Sequence, residues 1–226
     1  MKTEQVYVPI SGAEQTSAMV VVPRGYEPGE GKGVVLAHGA GNDMNHPLIV
    51  AMAEGLAAAG WLTLRFNFLY RQRGRKGPDR QEILVETWQR AHQFLLNHPQ
   101  YQPKTILAAG KSMGGRVASQ MVAEGLLPVS RLVFLGYPLH SPGKKENPRD
   151  AHFSKIKIPM LFFCGTRDSL CHLATLENTL DRLPGPWELQ VIQGGDHSFR
   201  LPKSADRTQE EIYEDILQKT LEWLGE

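Results

Sequence analysis

The sequence predicts an α/β protein: a mostly parallel central sheet of about eight strands, its first hairpin antiparallel, with helices on both faces. Short apolar runs alternate with longer segments of helical period, the pattern of a sheet covered on both sides. Val34–His38 is a near-continuous apolar run, as a strand buried on both faces should be. The length, 226 residues, favours one large domain spanning 1–226 over two small ones.

Taken in order, Gln5–Ile10 and Ala18–Pro23 read as two strands that pair antiparallel at one end. Val34–His38 is the third strand, and Pro47–Ala59 follows with helical character. Trp61–Leu69 is again strand-like. Arg80–His98 is a helix with Ile83, Leu84, Trp88, Ala91, Phe94 and Leu95 on one face. Thr105–Ala109 is a strand running into Gly110, and Arg116–Glu124 is a helix. Leu132–Leu135, Met160–Cys164 and Glu188–Ile192 supply three further strands. Leu173–Leu183 is a helix, as is Gln209–Leu224, with Ile212, Ile216, Leu217, Leu221 and Leu224 at helical spacing. The loosest stretches are Tyr70–Asp79 and His140–Lys155. Both follow strands, so both border the crevice at the strands' carboxyl ends.

Composition excludes several classes. Hydrophobic residues make up 41% and charged residues 22%, which is ordinary globular usage. Lysine and arginine total 25 against 24 acids, a formal charge of +1, so no basic footprint for nucleic acid or an anionic membrane exists. No apolar stretch approaches the length of a membrane span, and the amino terminus lacks the apolar run of a signal peptide. Cys164 and Cys171 form neither CxxC nor a disulfide framework. The expectation is a soluble, cytoplasmic protein whose oligomeric state the sequence does not disclose.

Gly110-Lys111-Ser112-Met113-Gly114-Gly115 lies between a strand and a helix, the context that G-x-S-x-G requires. A sharp turn there strains the serine backbone, and amides at the helix N-terminus face the serine oxygen. The same atoms resemble the end of a phosphate loop. Thr105 stands where that motif needs its first glycine, and the residues between are strand, so the nucleotide reading fails.

A nucleophilic serine needs a base, and the base needs a carboxylate to orient it. His197 follows the last strand and Asp168 the strand before it, giving the chain order Ser112, Asp168, His197. Asp196 is a weaker acid candidate, because a residue seldom orients the imidazole beside it. His38-Gly39-Ala40-Gly41 ends the third strand, and its glycines let backbone amides approach a reacting carbonyl. The oxyanion hole then comprises the amide of Met113 and that of Ala40 or Gly41.

Five segments together carry a resemblance: His38-Gly39-Ala40-Gly41, Gly110-Lys111-Ser112-Met113-Gly114-Gly115-Arg116, Gly136-Tyr137-Pro138-Leu139-His140, Gly165-Thr166-Arg167-Asp168 and Asp196-His197-Ser198-Phe199. With them the chain resembles the α/β-hydrolase superfamily over nearly its whole length, and most of all its small, lidless, dienelactone-hydrolase-like group. The resemblance implies Ser112 as nucleophile, Asp168 as acid and His197 as base, with no cofactor. Dienelactone hydrolase itself uses a cysteine where this chain has Ser112. Haloalkane dehalogenases and epoxide hydrolases use an aspartate there. Some relatives act as subunits of larger assemblies, so a binding module with little turnover is one alternative, and acyl transfer another.

Arg71, Arg73, Arg75, Lys76 and Arg80 form one basic group, and Lys144, Lys145 and Arg149 a second, both in loops at the active edge. From these, Arg71 and Arg73 are candidate contacts to an anionic ester, with His38 and His140 as further candidates to line the site. The interval from His140 to Lys157, about 18 residues, is too short for a multi-helix lid. The site should be open and suited to small soluble esters. His38, Asp43 and His46 match none of the usual metal-ligand spacings, so no metal is expected.

Overall fold

The computed structural model describes residues 1–225. Eight strands form one sheet: β1 Lys2–Pro9, β2 Gln15–Val22, β3 Lys32–Ala37, β4 Leu62–Phe66, β5 Thr105–Lys111, β6 Leu132–Leu135, β7 Met160–Gly165 and β8 Trp187–Ile192. Their order is β1-β2-β4-β3-β5-β6-β7-β8. β2 pairs antiparallel with both β1 and β4, while every pair from β4 through β8 is parallel. β2 is therefore the single reversed strand of an otherwise parallel sheet.

Alternation along the strands sorts the core into two layers. Val35, Ala37, Leu64, Phe66, Ala108, Phe134 and Phe162 face one side, under α3 Gln81–Asn97, α4 Met113–Ala123 and α5 Leu173–Leu180. Val34, Leu36, Leu107, Ala109, Val133, Leu135, Leu161 and Phe163 face the other, under α1 Pro47–Ala58 and α6 Gln209–Leu224. The start of α6 is specified by its sequence. The Thr208 hydroxyl accepts from the Glu211 amide, and the Glu211 carboxylate reaches back to the Thr208 amide, a capping box. At the other end Gly225, with φ of 79°, closes the helix in the left-handed region.

Several element ends shift by a few residues, α4 beginning at Met113 rather than Arg116 and β1 at Lys2 rather than Gln5, and two stretches differ in kind. The predicted strand Trp61–Leu69 stops at Phe66, and a short helix, α2 Leu69–Gln72, takes the last residue of that strand and the first three of the expected loop Tyr70–Asp79. Backbone pairing explains the change: β2 and β3 hydrogen-bond β4 only from Leu62 to Phe66, and the Asn67 amide then turns to the Ser17 carbonyl. The loop after Leu139 contains one 3-10 turn, Ala151–Lys155, whose Phe153 is fully buried beneath Tyr137 and Phe162. No large cap is inserted there. No described helix is long and apolar enough to cross a membrane.

Candidate active site

The site begins at the sharp turn between β5 and α4. Ser112 has φ of 50° and ψ of −116°, a conformation L-residues rarely adopt and one held here by its surroundings. Two close approaches hold it. A Cβ on Gly110 would sit 2.2 Å from the Gly115 nitrogen, and a Cβ on Gly114 would sit 2.6 Å from the Ala37 carbonyl oxygen. The Trp88 indole N–H donates to the Gly114 carbonyl at 3.1 Å and pins the first turn from the α3 side. Gly114→Ala should therefore force the helix away from β3. The expected result is a melting temperature lowered by several degrees, consistent with about 1–3 kcal/mol of overpacking, together with loss of activity. A thermal melt that matches the parent would contradict this account.

The Ser112 Oγ lies 2.8 Å from His197 Nε2, and His197 Nδ1 lies 2.8 Å and 3.0 Å from the two carboxylate oxygens of Asp168. An Nδ1–H donated to Asp168 leaves Nε2 as the acceptor for the serine hydroxyl. Asp168 is buried, and its Oδ1 also accepts from the Leu170 amide at 2.8 Å, which orients the carboxylate. The acid and base loops brace one another: the Arg167 amide donates to the Gly195 carbonyl and the Gly194 amide to the Thr166 hydroxyl, both at 2.8 Å. Asp196 has a different task. Its Oδ1 accepts from the Ser198 and Arg200 amides and shapes the turn that presents His197.

Ala40 and Met113 border the same cleft as Ser112, a hollow of about 290 Å³ also walled by Leu84, Arg116, Pro138 and Arg149. Neither backbone amide is engaged by another described group, and Met113 is the first residue of α4, where the helix dipole favours negative charge. Gly41 does not border the cleft. Hollows of comparable volume lie elsewhere, one walled by His92, Leu96 and Ile106; chemistry, not size, distinguishes this one.

Four residues expected to contact substrate stand elsewhere. His38 is fully buried; its Nδ1 lies 2.8 Å from the Gly39 carbonyl and its Nε2 accepts from the Phe68 amide at 3.1 Å. His140 is buried in the same way, with Nδ1 at the Ser141 carbonyl and Nε2 accepting from the His172 amide. Both imidazoles are loop braces whose two nitrogens are already used. Arg71 pairs with Asp43 at 3.4 Å, and Arg73 with Glu14 at 2.6–2.8 Å. Arg73 also approaches Asp79 at 3.6 Å, and Arg75 pairs with the same carboxylate. These pairs neutralise the three arginines Arg71, Arg73 and Arg75 of the first basic group, and neither Arg71 nor Arg73 borders the cleft. His46 accepts from the Leu48 amide at the start of α1, and no cluster of three or more potential ligands that could hold a metal exists among the described residues.

Lys111 was not singled out by its sequence beyond its place in the motif. Its side chain is buried, and its ammonium donates to the His197 carbonyl at 3.3 Å. Burial lowers its pKa to about 8 against the opposing pull of Asp168 and Asp196. A charged residue ending an apolar strand was the available signal, since a buried ammonium must find a partner.

Comparison with known proteins shows the family and the fold. Residues 30–225 match a family model described as an alpha/beta hydrolase domain. A dienelactone hydrolase from Anabaena variabilis superposes with a TM-score of 0.75 at 24% identity, covering 98% of this chain and 96% of that one. A lidless alpha/beta serine hydrolase from Xanthomonas campestris gives 0.73 at 18% identity, covering 98% and 95%. Est1E from Butyrivibrio proteoclasticus, solved with ferulic acid bound, gives 0.76 at 16% identity, covering 98% and 100%. At these identities the likeness is one of fold.

Proposed function

Because the chain belongs to the alpha/beta hydrolase family, we propose that it is a serine hydrolase cleaving small carboxylic esters and related acyl bonds, in one domain without a lid. The observation that carries this reading is the hydrogen-bonded chain from Ser112 through His197 to Asp168, set on a strained turn beside an open cleft. His197 Nε2 takes the hydroxyl proton as Ser112 Oγ attacks the ester carbonyl. Asp168 holds the imidazole in the working tautomer and stabilises its cationic form. The amides of Met113 and Ala40 receive the oxyanion, Ala40 being preferred to Gly41 because it borders the cleft. Collapse of the tetrahedral intermediate breaks the ester bond, and His197 returns the proton to the departing alcohol. A water deprotonated by His197 then attacks the acyl-enzyme and releases the acid. The fold's likeness to Est1E, solved with ferulic acid bound, supports a small carboxylic substrate. The unpaired, buried thiols of Cys164 and Cys171 suit a reducing compartment such as the cytoplasm.

A fluorophosphonate probe tests the reading. The parent should be labelled, and Ser112→Ala should not. A folded parent that resists labelling would overturn the enzyme in favour of a binding module. Labelling with ester cleavage only in the presence of an acceptor alcohol or amine would replace hydrolysis by acyl transfer.

A further inference from the structure

We propose that Arg116 and Arg149 form an anion-binding subsite beside Ser112, so that the preferred substrates are esters carrying a free carboxylate. This rests on the hydrolase reading above and names the substrate class of the same cleft. Both arginines border the hollow that holds Ser112, Met113 and Ala40. Arg116 lies four residues beyond Ser112, one helical turn along α4, with its amide on the Ser112 carbonyl at 3.0 Å.

What sets the two apart is that they border the cleft and have no acidic partner among the described residues. Arg71, Arg73, Arg75, Arg182 and Arg207 each pair with a carboxylate. Arg116 instead donates to the Gln120 side-chain oxygen at 3.2 Å, and Arg149 to the Ser141 hydroxyl at 2.6 Å. Their charges oppose each other: burial first, and the neighbouring Arg149, lower the pKa of the Arg116 guanidinium, which nevertheless stays charged. Asp79 borders the cleft too; Arg73 and Arg75 contact its Oδ1 while its buried Oδ2 has no hydrogen-bond partner among the described residues, and the two arginines match the charges of Asp79 and Glu14. The cleft beside the nucleophile therefore carries two arginines with no acidic partner among the described residues, which a planar carboxylate suits.

The pair is also held in place. The Tyr137 hydroxyl lies 3.4 Å from the Arg149 carbonyl and 3.4 Å from His152 Nε2. His152 Nε2 in turn lies 2.8 Å from the Ser119 hydroxyl, which donates to the Arg116 carbonyl at 2.9 Å. This chain ties the loop bearing Arg149 to the helix bearing Arg116, fixing both backbones before a ligand arrives. Burial lowers the His152 pKa to about 4, so at neutral pH it adds no third positive charge.

The test compares kcat/KM for anionic and neutral partners at low salt. Monomethyl adipate against dimethyl adipate places the carboxylate on the acyl side; 4-acetoxybenzoate against its methyl ester places it on the alcohol side. At least one anionic ester should be preferred about tenfold or more, each arginine contributing a charge-assisted bond. The preference should shrink in 0.5 M KCl. In R116Q/R149Q the anionic-to-neutral ratio should fall at least tenfold, and in Arg149→Gln alone, at an exposed position that does not endanger folding, severalfold. Equal kcat/KM for both members of each pair in the parent, or a ratio unchanged in Arg149→Gln, would overturn the subsite while leaving the hydrolase intact. If the folded parent neither labels with fluorophosphonate nor turns over, the hydrolase reading fails, and calorimetry with adipate decides the subsite. Binding lost in Arg149→Gln supports it, and no binding to the parent overturns it.

Discussion

Replacing Ser112 by alanine should lower kcat for ester hydrolysis by about 10⁴–10⁶-fold while leaving the fold melting as before. Ser112 is half-buried, and its hydroxyl spends its hydrogen bond on His197 alone, so its removal leaves no buried polar group unsatisfied in the core. His197→Ala should cost a similar factor, because an unactivated hydroxyl is a poor nucleophile. Asp168→Asn should cost about 10⁴-fold: an amide at that position can no longer accept the Nδ1 proton at both oxygens, and the imidazole turns to the wrong tautomer. The decisive variant is Ser112→Ala/His197→Ala. Groups that act as one unit lose their effect together, so the double variant should be no slower than Ser112→Ala alone. Multiplicative losses, measured as kcat on the same ester, would mean that the two residues act independently and that the 2.8 Å contact is incidental.

The second large effect is on acid stability. Burial lowers the pKa of His38, His46 and His152 to about 4 each. The sign follows from proton binding. These side chains are neutral in the folded protein above about pH 4, whereas in the unfolded chain they protonate near 6.5. Below 6.5 the unfolded state binds more protons, so stability is fully present above 6.5 and is lost as pH falls from there toward 4. His38 contributes most, because its Nε2 accepts the Phe68 amide and a proton placed there would face that N–H. Its ring is also packed edge-on against Phe68 and Tyr70. A shift of that size corresponds to about 3 kcal/mol for His38, with smaller shares from the half-buried His46 and His152. Urea unfolding at pH 7.5 and 4.5 should show a drop of several kcal/mol in the parent. In His38→Asn, whatever its stability at pH 7.5, the drop should be about 2–3 kcal/mol smaller. An identical drop in both would remove His38 from the account.

The sheet and its helices were legible in the sequence because they are written in local periodicity. Val34, Val35, Leu36 and Ala37 already alternate between the two layers that later receive them, and the turn around Ser112 is marked by glycines that no other residue could replace. The placement of the charges was not legible. Arg73 is neutralised by Glu14, 59 residues away, and Arg71 by Asp43, 28 residues away, and no window of sequence joins those partners. His38 and His140 sit where a site residue would, just past the ends of strands. What makes them braces is the Phe68 and His172 amides, 30 and 32 residues distant. The same blindness runs the other way for Arg116: the sequence marks it only as part of a motif, and its lack of a carboxylate partner among the described residues is visible only in three dimensions.

The contact between Ser112 and His197 joins residues 85 positions apart, and the strands that carry them are separated in the sheet by β6 and β7. Closing so long a loop is entropically slow, and parallel pairings must each await their crossover. During refolding, helical signal and a collapsed core can therefore return while the serine is still inert. Reactivity toward an acylating probe reports whether β8 and its following turn have docked, rather than folding in general.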